Sequence, residues 1–96
     1  PQAINTPELR FDCDETRKFV VVEEVKATLQ AAGAEMSTVD GVRVQTKDGW
    51  WLLRASNTQA VLVARCEAST EEGLTRLKQA LIKALGEVGV EAPADL

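Results

Sequence analysis

The middle of the chain carries the feature that most constrains its fold, two Asp-Gly dipeptides set among short apolar runs. Asp40-Gly41 separates residues 35–39 from residues 42–46, and Asp48-Gly49 directly precedes the run at 50–54. Asp-Gly is a strong hairpin signal, because glycine adopts positive φ without strain. Strands joined by such tight turns run antiparallel. The sequence therefore predicts an antiparallel meander with turns at these two dipeptides.

Two further strands are predicted on either side of this meander. In residues 7–13 the apolar positions Leu9, Phe11 and Cys13 alternate with polar ones, and residues 61–66 form an apolar run rich in β-branched side chains. A period of two indicates a strand with one buried face, and β-branched residues favour strands.

A first helix is predicted between the first strand and the meander. Asp14-Glu15-Thr16 supplies an N-cap oxygen and early negative charge, and Gly33 fits the C′ position. The apolar residues recur three or four positions apart, as one helix face requires. This stripe consists of Phe19, Val22, Val25, Leu29 and Ala32.

A second helix is predicted after the last strand. Ser69 followed by Glu72 has the spacing of a capping box, in which the Glu72 side chain reaches back to the Ser69 backbone. The buried face of this helix consists of Leu74, Leu77, Leu81 and Leu85, and the helix is expected to end near Gly86 or Gly89. Residues 91–96 are predicted to be a disordered tail.

The order strand, helix, meander and helix predicts an α+β fold of two layers. We expect a twisted antiparallel sheet of about four strands, with both helices packed on one face. The 96 residues suffice for a single domain, assigned to residues 1–96. The chain begins with Pro1, and Met36 is its only methionine. The sequence is therefore expected to be a piece of a larger protein.

Composition excludes several functional classes. A net charge of −4 argues against nucleic acid and anionic membrane surfaces as partners, because both attract basic proteins. No apolar run approaches the roughly 20 residues that span a bilayer. Without histidine, Cys13 and Cys66 form neither a zinc site nor a Cys/His catalytic pair, so both are interpreted as small apolar residues in a reducing cytoplasm. No metal-binding or catalytic residue is assigned.

The segment Arg54-Ala55-Ser56-Asn57-Thr58-Gln59 joins two strand-like runs and has two interpretations. Serine and asparagine are common in turns because their side chains bond nearby backbone. The same residue types also suit a phosphate dianion. Arg54 offers a planar fork of donors, Ser56 and Thr58 offer hydroxyls, and Asn57 offers an amide. The residue types alone leave both interpretations open.

Several other side chains are interpreted as structural. One of the consecutive residues Trp50 and Trp51 is expected in the core and the other on the surface. Arg43 and Arg65 are expected on an exposed sheet face. The pairs Glu23-Glu24 and Glu71-Glu72 are interpreted as solvated helix positions rather than as an acid/base pair.

A family resemblance favours the phosphate interpretation. The runs Asp40-Gly41-Val42-Arg43-Val44, Asp48 to Thr58 and Val61 to Ala68 resemble the C-terminal domain of the α-D-phosphohexomutases, most closely the bacterial phosphomannomutase/phosphoglucomutase group. The resemblance implies a TATA-box-binding-protein-like architecture. One departure is Ala60, where the family usually has proline.

The resemblance also implies a function. The family interconverts hexose 1-phosphates and 6-phosphates through a bisphosphorylated intermediate, using magnesium and a phosphoserine that other domains hold. Arg54, Ser56, Asn57 and Thr58 would grip the phosphate that is not transferred. The implied partners are glucose or mannose phosphates, their 1,6-bisphosphates and the other domains of the enzyme, so the chain alone is expected to be inactive. The alternative is a non-catalytic α+β protein-interaction module.

Overall fold

The computed structural model describes residues 3–37 and 41–93. It confirms the α+β class, with an antiparallel sheet and two helices packed against the same hydrophobic core. The strands follow the spatial order β1-β6-β5-β4-β3, with β2 also paired to β6. In chain order the elements are β1 (Ile4–Asn5), β2 (Leu9–Asp12), α1 (Lys18–Ala31), β3 (Met36–Ser37), β4 (Val42–Thr46), β5 (Gly49–Ala55), β6 (Val61–Ala68) and α2 (Glu71–Gly86).

The sheet has six strands instead of about four, partly because β1 and β2 share one edge. Both pair with β6, β1 near its end and β2 along its first half. The residues between them include Pro7, which has no N–H for the ladder. Thr6 keeps the edge attached there. Its N–H donates to the Cys66 carbonyl at 3.0 Å, and its Oγ1 accepts from the Cys66 N–H at 3.0 Å.

The turn between β4 and β5 lies one residue earlier than predicted. Thr46 pairs with Gly49, so the turn residues are Lys47 and Asp48, and Gly49 already belongs to β5. Gly49 has φ +144°, a conformation that side chains rarely adopt. The other predicted turn includes Asp40, which lies outside the described residues. Its partner Gly41 has φ +117°.

Helix α1 buries a different face from the one predicted. Val22 and Val25 are buried and Leu29 packs against the core, as expected, but Phe19 is 56 % exposed and Ala32 is also exposed. Lys18 and Val21 take the inward positions instead. Apolar character alone predicts Phe19 on the buried face, whereas Lys18 can be buried because its ammonium bonds the Glu15 carboxylate and the Gln59 carbonyl oxygen.

The start of α1 also differs from the prediction. The Asp14 side chain accepts from the Thr16 N–H at 2.8 Å, and the Asp14 carbonyl accepts from Arg17 and Lys18. These bonds form a turn ahead of the helix, which begins only at Lys18. The N-cap residue Arg17 makes no side-chain cap, and the first helical turn has no acidic residue.

Helix α2 confirms the predicted buried face, with Leu74, Leu77, Leu81 and Leu85 all inside. The predicted capping box is wrong by one residue. Thr70, in extended conformation, is the N-cap and accepts from the Gly73 N–H at 2.9 Å. With Thr70 as the N-cap, the N3 position of a capping box is Gly73, which has no side chain to reach back. Glu72 lies at N2 and cannot form the box. Past the C-terminus, Gly89 has φ +86° and the Val90 N–H bonds the Leu85 carbonyl, as at a left-handed helix end.

The core lies between the helices and one sheet face. Trp51, Leu53 and their neighbours point toward the helices, while alternate residues point to the uncovered face. As predicted, one of the two tryptophans lies in the core and the other at the surface. Trp51 is buried, whereas Trp50 lies partly exposed with the guanidinium of Arg43 4.5 Å from its ring. Arg43 and Arg65 are exposed.

The C-terminal segment was predicted to be disordered. Residues 91–93 have no regular secondary structure, and Ala92 packs partly against the core. Residues 94–96 lie outside the described part of the chain, so disorder there stays a prediction.

Candidate functional site

The connection between β5 and β6 is a short turn organised by one hydroxyl. The Ser56 N–H donates to the Val61 carbonyl at 3.1 Å, which closes the ladder. The Ser56 Oγ accepts from the N–H groups of Thr58 at 3.3 Å and Gln59 at 3.1 Å. These bonds show that the segment forms a turn between the two strands. It is compatible with anion binding, because a hydroxyl that accepts two bonds still has its own proton to donate.

Arg54 and Asn57 line the same cleft. It has a volume of about 430 Å³, and its other walls are Phe19, Val22, Glu23, Gly41 and Ala55. Both residues are exposed. Across residues 3–37 and 41–93, the side chains of Arg54, Asn57 and Thr58 form no hydrogen bond or ion pair with protein groups. Among the described residues, no protein group therefore occupies these donors.

The other two predicted phosphate-binding residues lie outside the cleft. Ser56 and Thr58 do not line this cleft. The Ser56 oxygen supports the turn, and Thr58 lies exposed at the tip of the loop. The structure thus brings Arg54 and Asn57 together at the cleft, with the two hydroxyl residues in the adjoining turn.

Of the acidic residues that the structure describes, Glu23 lines the cleft. A carboxylate disfavours an anionic ligand, but this one is paired. The Glu23 Oε1 lies 3.2 Å from the Lys26 ammonium, which offsets its charge. Both Glu23 and Glu24 are exposed, as the interpretation of solvated helix positions predicted.

The loop is tied to neighbouring elements through Gln59 and Ala60. The Gln59 carbonyl accepts from the Lys18 ammonium at 3.0 Å, and the Gln59 side-chain oxygen accepts from Arg10 at 2.6 Å. The Ala60 carbonyl accepts from the Cys13 N–H at 3.0 Å. Sequence reasoning missed Lys18. The available signal was a lysine placed three and four residues before two buried valines, on the same helix face.

The cysteines are free thiols. Cys66 is buried in the core, and burial raises its pKa to about 11. Cys13 is half-buried, and desolvation raises its pKa as well. Both thiols therefore stay protonated near neutral pH, which suits packing rather than nucleophilic chemistry.

Residues 3–37 and 41–93 offer no fit for the magnesium ion that the resemblance implies for the whole enzyme. Within the described ranges, no three His, Cys, Asp or Glu side chains come together as a metal site. Among the same residues, none of the helices has the length and apolar character needed to cross a membrane.

Comparison with known proteins decides the family. Residues 8–84 match the family described as phosphoglucomutase/phosphomannomutase, C-terminal domain. The chain belongs to this family. It is 46 % identical over 78 residues to phosphomannomutase/phosphoglucomutase of Pseudomonas aeruginosa, and 44 % identical over 80 residues to phosphoglucomutase of Neisseria meningitidis. Each alignment covers 81 % of this chain and 17 % of the relative.

A solved structure agrees with the sequence relatives. A phosphoglucomutase/phosphomannomutase family protein from Burkholderia thailandensis superposes with a TM-score of 0.78 at 34 % identity, covering 97 % of this chain and 20 % of that protein. The chain therefore spans about a fifth or less of the length of these relatives. The predicted family is confirmed, and the fold is that of the family's C-terminal domain.

Proposed function

We propose that this domain grips the phosphate of a hexose phosphate that is not being transferred, as part of a phosphohexomutase. The observation that carries the proposal is the placement of Arg54 and Asn57 on one cleft, next to a turn with two hydroxyl side chains. The larger enzyme would interconvert glucose or mannose 1-phosphate and 6-phosphate through the 1,6-bisphosphate. Two free cysteines suit the reducing cytoplasm proposed as its location.

Charge and donor geometry support this role. A phosphate monoester carries about −1.5 to −2 charges near neutral pH. The guanidinium of Arg54 can bond two of its oxygens at once. Asn57 adds an amide donor, and Ser56 and Thr58 add hydroxyl protons. The exposed position of Arg54 lets a ligand reach it without unfolding the loop.

A grip remote from the reacting atoms contributes by orientation. Holding one phosphate fixes the position of the other end of the sugar, which lowers the entropic part of the barrier. In the proposed enzyme the phosphoserine and magnesium supply the transfer chemistry, and both belong to other domains. The chain alone is therefore expected to bind phosphate without mutase turnover.

The second candidate is a non-catalytic protein-interaction module. It is favoured by the sheet face that neither helix covers, where Trp50 and Arg43 stack. A partner bound to that face would not depend on Asn57 or on the turn. Substituting Arg54 and following phosphate binding separates the two candidates.

The first test is an amide NMR titration of the 96-residue chain with glucose 1-phosphate, inorganic phosphate and plain glucose. Saturable shifts at residues 54–58 are expected with the two phosphates and absent with glucose. Ordering the ligand and loop offsets much of the gain, so we expect a Kd of about 1 mM or weaker. Arg54→Ala should weaken binding at least about tenfold, because a hydrogen bond to a charged group contributes roughly 1.5–3 kcal/mol.

Arg43→Ala is the matched control. It removes the same charge from the same sheet, but Arg43 lies on the Trp50 ring rather than on the cleft. It should change phosphate affinity by less than about twofold, as expected for screened exposed charges. An equal loss of phosphate affinity in both variants would show that any nearby positive charge has this effect. That result would contradict a specific phosphate contact by Arg54.

A further inference from the structure

We infer that Lys18 is a positioning residue for the phosphate loop, fixing through Gln59 the conformation that presents Ser56 and its neighbours to the ligand. This inference rests on the proposed function for the ligand's identity. Lys18 touches no ligand in this scheme. It acts from the core side of the loop.

The environment of Lys18 is unusual for a lysine. Its side chain is 1 % exposed and lies on the face of α1 that also buries Val21, Val22 and Val25. An apolar residue there would bury its surface without desolvating a charge, and lysine is almost never fully buried unless paired. A lysine at this position therefore needs acceptors for its buried ammonium.

Those partners are Glu15 and the loop. The Lys18 Nζ lies 2.7 Å from the Glu15 Oε1 and 3.0 Å from the Gln59 carbonyl oxygen. The Phe19 ring centroid is 5.3 Å away, within the range of a cation–π contact. Glu15 is exposed and local, whereas Gln59 lies 41 residues further along the chain. The second bond therefore ties helix α1 to the loop.

Gln59 connects this tie to the predicted phosphate ligands. Its N–H donates to the Ser56 Oγ, its carbonyl accepts from Lys18, and its side-chain oxygen accepts from Arg10. Of the three bonds, the one from Lys18 is partly buried, whereas the bonds with Arg10 and Ser56 are exposed. A bond shielded from water is stronger than an exposed one. Losing it leaves Gln59 with its two exposed bonds, while the loop keeps the backbone bonds of Ser56 to Val61 and of Cys13 to Ala60.

The expected consequence concerns preorganisation. A loop already in its binding conformation spares the ligand the cost of ordering it. Without the Lys18 tie, Ser56 and its neighbours would sample other conformations, and phosphate binding would have to restore the ordered one. We expect inorganic phosphate to bind about 3- to 10-fold more weakly, the range that ordering one or two side chains covers.

The test compares three chains by NMR: wild type, Lys18→Met and Glu15→Gln. Methionine keeps the aliphatic length and removes the ammonium, whereas Glu15→Gln removes only the partner charge and keeps an acceptor. We measure hydrogen exchange and ¹⁵N relaxation of residues 56–60 without ligand, then titrate inorganic phosphate. Lys18→Met should speed exchange in the loop and weaken phosphate binding, while amides elsewhere in β5 and β6 stay unchanged. Glu15→Gln should do neither.

The outcomes separate this inference from the proposed function. Loop amides that behave alike in wild type and folded Lys18→Met would overturn the positioning role, even if phosphate binds both. A loop loosened by Lys18→Met in a chain that binds no phosphate would support the tie and contradict the proposed function. Equal effects of Glu15→Gln and Lys18→Met would assign the effect to the turn before α1 and overturn the inference.

A direct measurement covers the case in which Lys18→Met does not fold. In the wild-type chain, a scalar coupling between the Lys18 ¹⁵Nζ and the Gln59 carbonyl carbon reports the bond itself. The ammonium protons of a buried, bonded lysine should exchange slowly enough to be observed. An ammonium in fast exchange with water would overturn the inference, and Lys18→Arg, which keeps a cationic donor, should retain part of the loop order.

Discussion

Gly49 shows how a single residue sets the geometry of the sheet. It opens β5 with φ +144°, and its backbone lies against that of Glu67 and Ala68 in β6. A Cβ built on Gly49 would overlap the Glu67 carbonyl oxygen. Glycine is therefore required here for two reasons: it adopts the positive φ, and it lets the two strands approach closely.

Gly49→Ala should accordingly destabilise the chain by about 2 kcal/mol or more, from the strained φ and from overpacking. Urea unfolding followed by tryptophan fluorescence measures this, because Trp51 is buried in the core. Gly86→Ala is the control. Gly86 ends α2 with open space around its Cα, so alanine there should stabilise by about 0.5 kcal/mol. A similar free energy of unfolding for both variants would contradict the steric argument.

Among the elements, α2 illustrates how caps fix a helix boundary. Ser69 and Thr70 are adjacent hydroxyl residues, and both could cap a helix. Only Thr70 bonds the Gly73 N–H, with φ −137° and ψ 159°. The acidic residues Glu71 and Glu72 then lie in the first turn, where they interact favourably with the helix dipole.

Thr70→Ala should therefore lower the free energy of unfolding by about 1 kcal/mol, the usual cost of losing an N-cap oxygen. Ser69→Ala, one residue away, should change it by only a few tenths. Thermal unfolding monitored by circular dichroism compares the two. A larger loss of stability in Ser69→Ala than in Thr70→Ala would contradict Thr70 as the N-cap and favour the capping box predicted from the sequence.

The two helices also show what the sequence could and could not predict. The leucines of α2 have strict helical spacing, so their burial followed from pattern alone. The buried face of α1 did not follow from pattern, because Phe19, predicted to be buried, is exposed, and Lys18 is buried beside it. Burial of a lysine depends on Gln59, which is distant in sequence and reaches it only in the folded chain. For the same reason, the bonds of Gln59 with Lys18 and with Ser56, which hold the turn, could not be predicted from the sequence.

At the scale of the whole molecule, contacts between the meander and the last helix hold the sheet and helix layers together. Asp48 lies in the turn between β4 and β5, and Arg76 lies on α2. The guanidinium donates to both carboxylate oxygens of Asp48, from Nε at 2.8 Å and from Nη2 at 2.7 Å. This bidentate pair fixes the turn against the helix layer. Its principal electrostatic effect is to lower the pKa of Asp48 through the Arg76 hydrogen bonds.

Because the pKa of Asp48 is lowered on folding, the free energy of unfolding depends on pH. Asp48 binds its proton less readily in the folded chain than in the unfolded one, whose value is near 3.8. The contribution to stability is therefore complete above that value and is lost as the pH falls through the lower folded pKa. Arg76→Gln should bring the pKa of Asp48 back up toward 3.8. It should also make stability less sensitive to acid in that range.

Carboxyl ¹³C NMR titration of Asp48 in wild type and Arg76→Gln measures the shift directly. Lys83→Gln, which removes one positive charge from the same helix, is the control and should leave the Asp48 titration unchanged. Because the Arg76 side of the pair is 55 % exposed, added salt should weaken its effect. An Asp48 that titrates identically in wild type and Arg76→Gln would show that the pair does not persist in solution. The turn would then be held to α2 by packing alone.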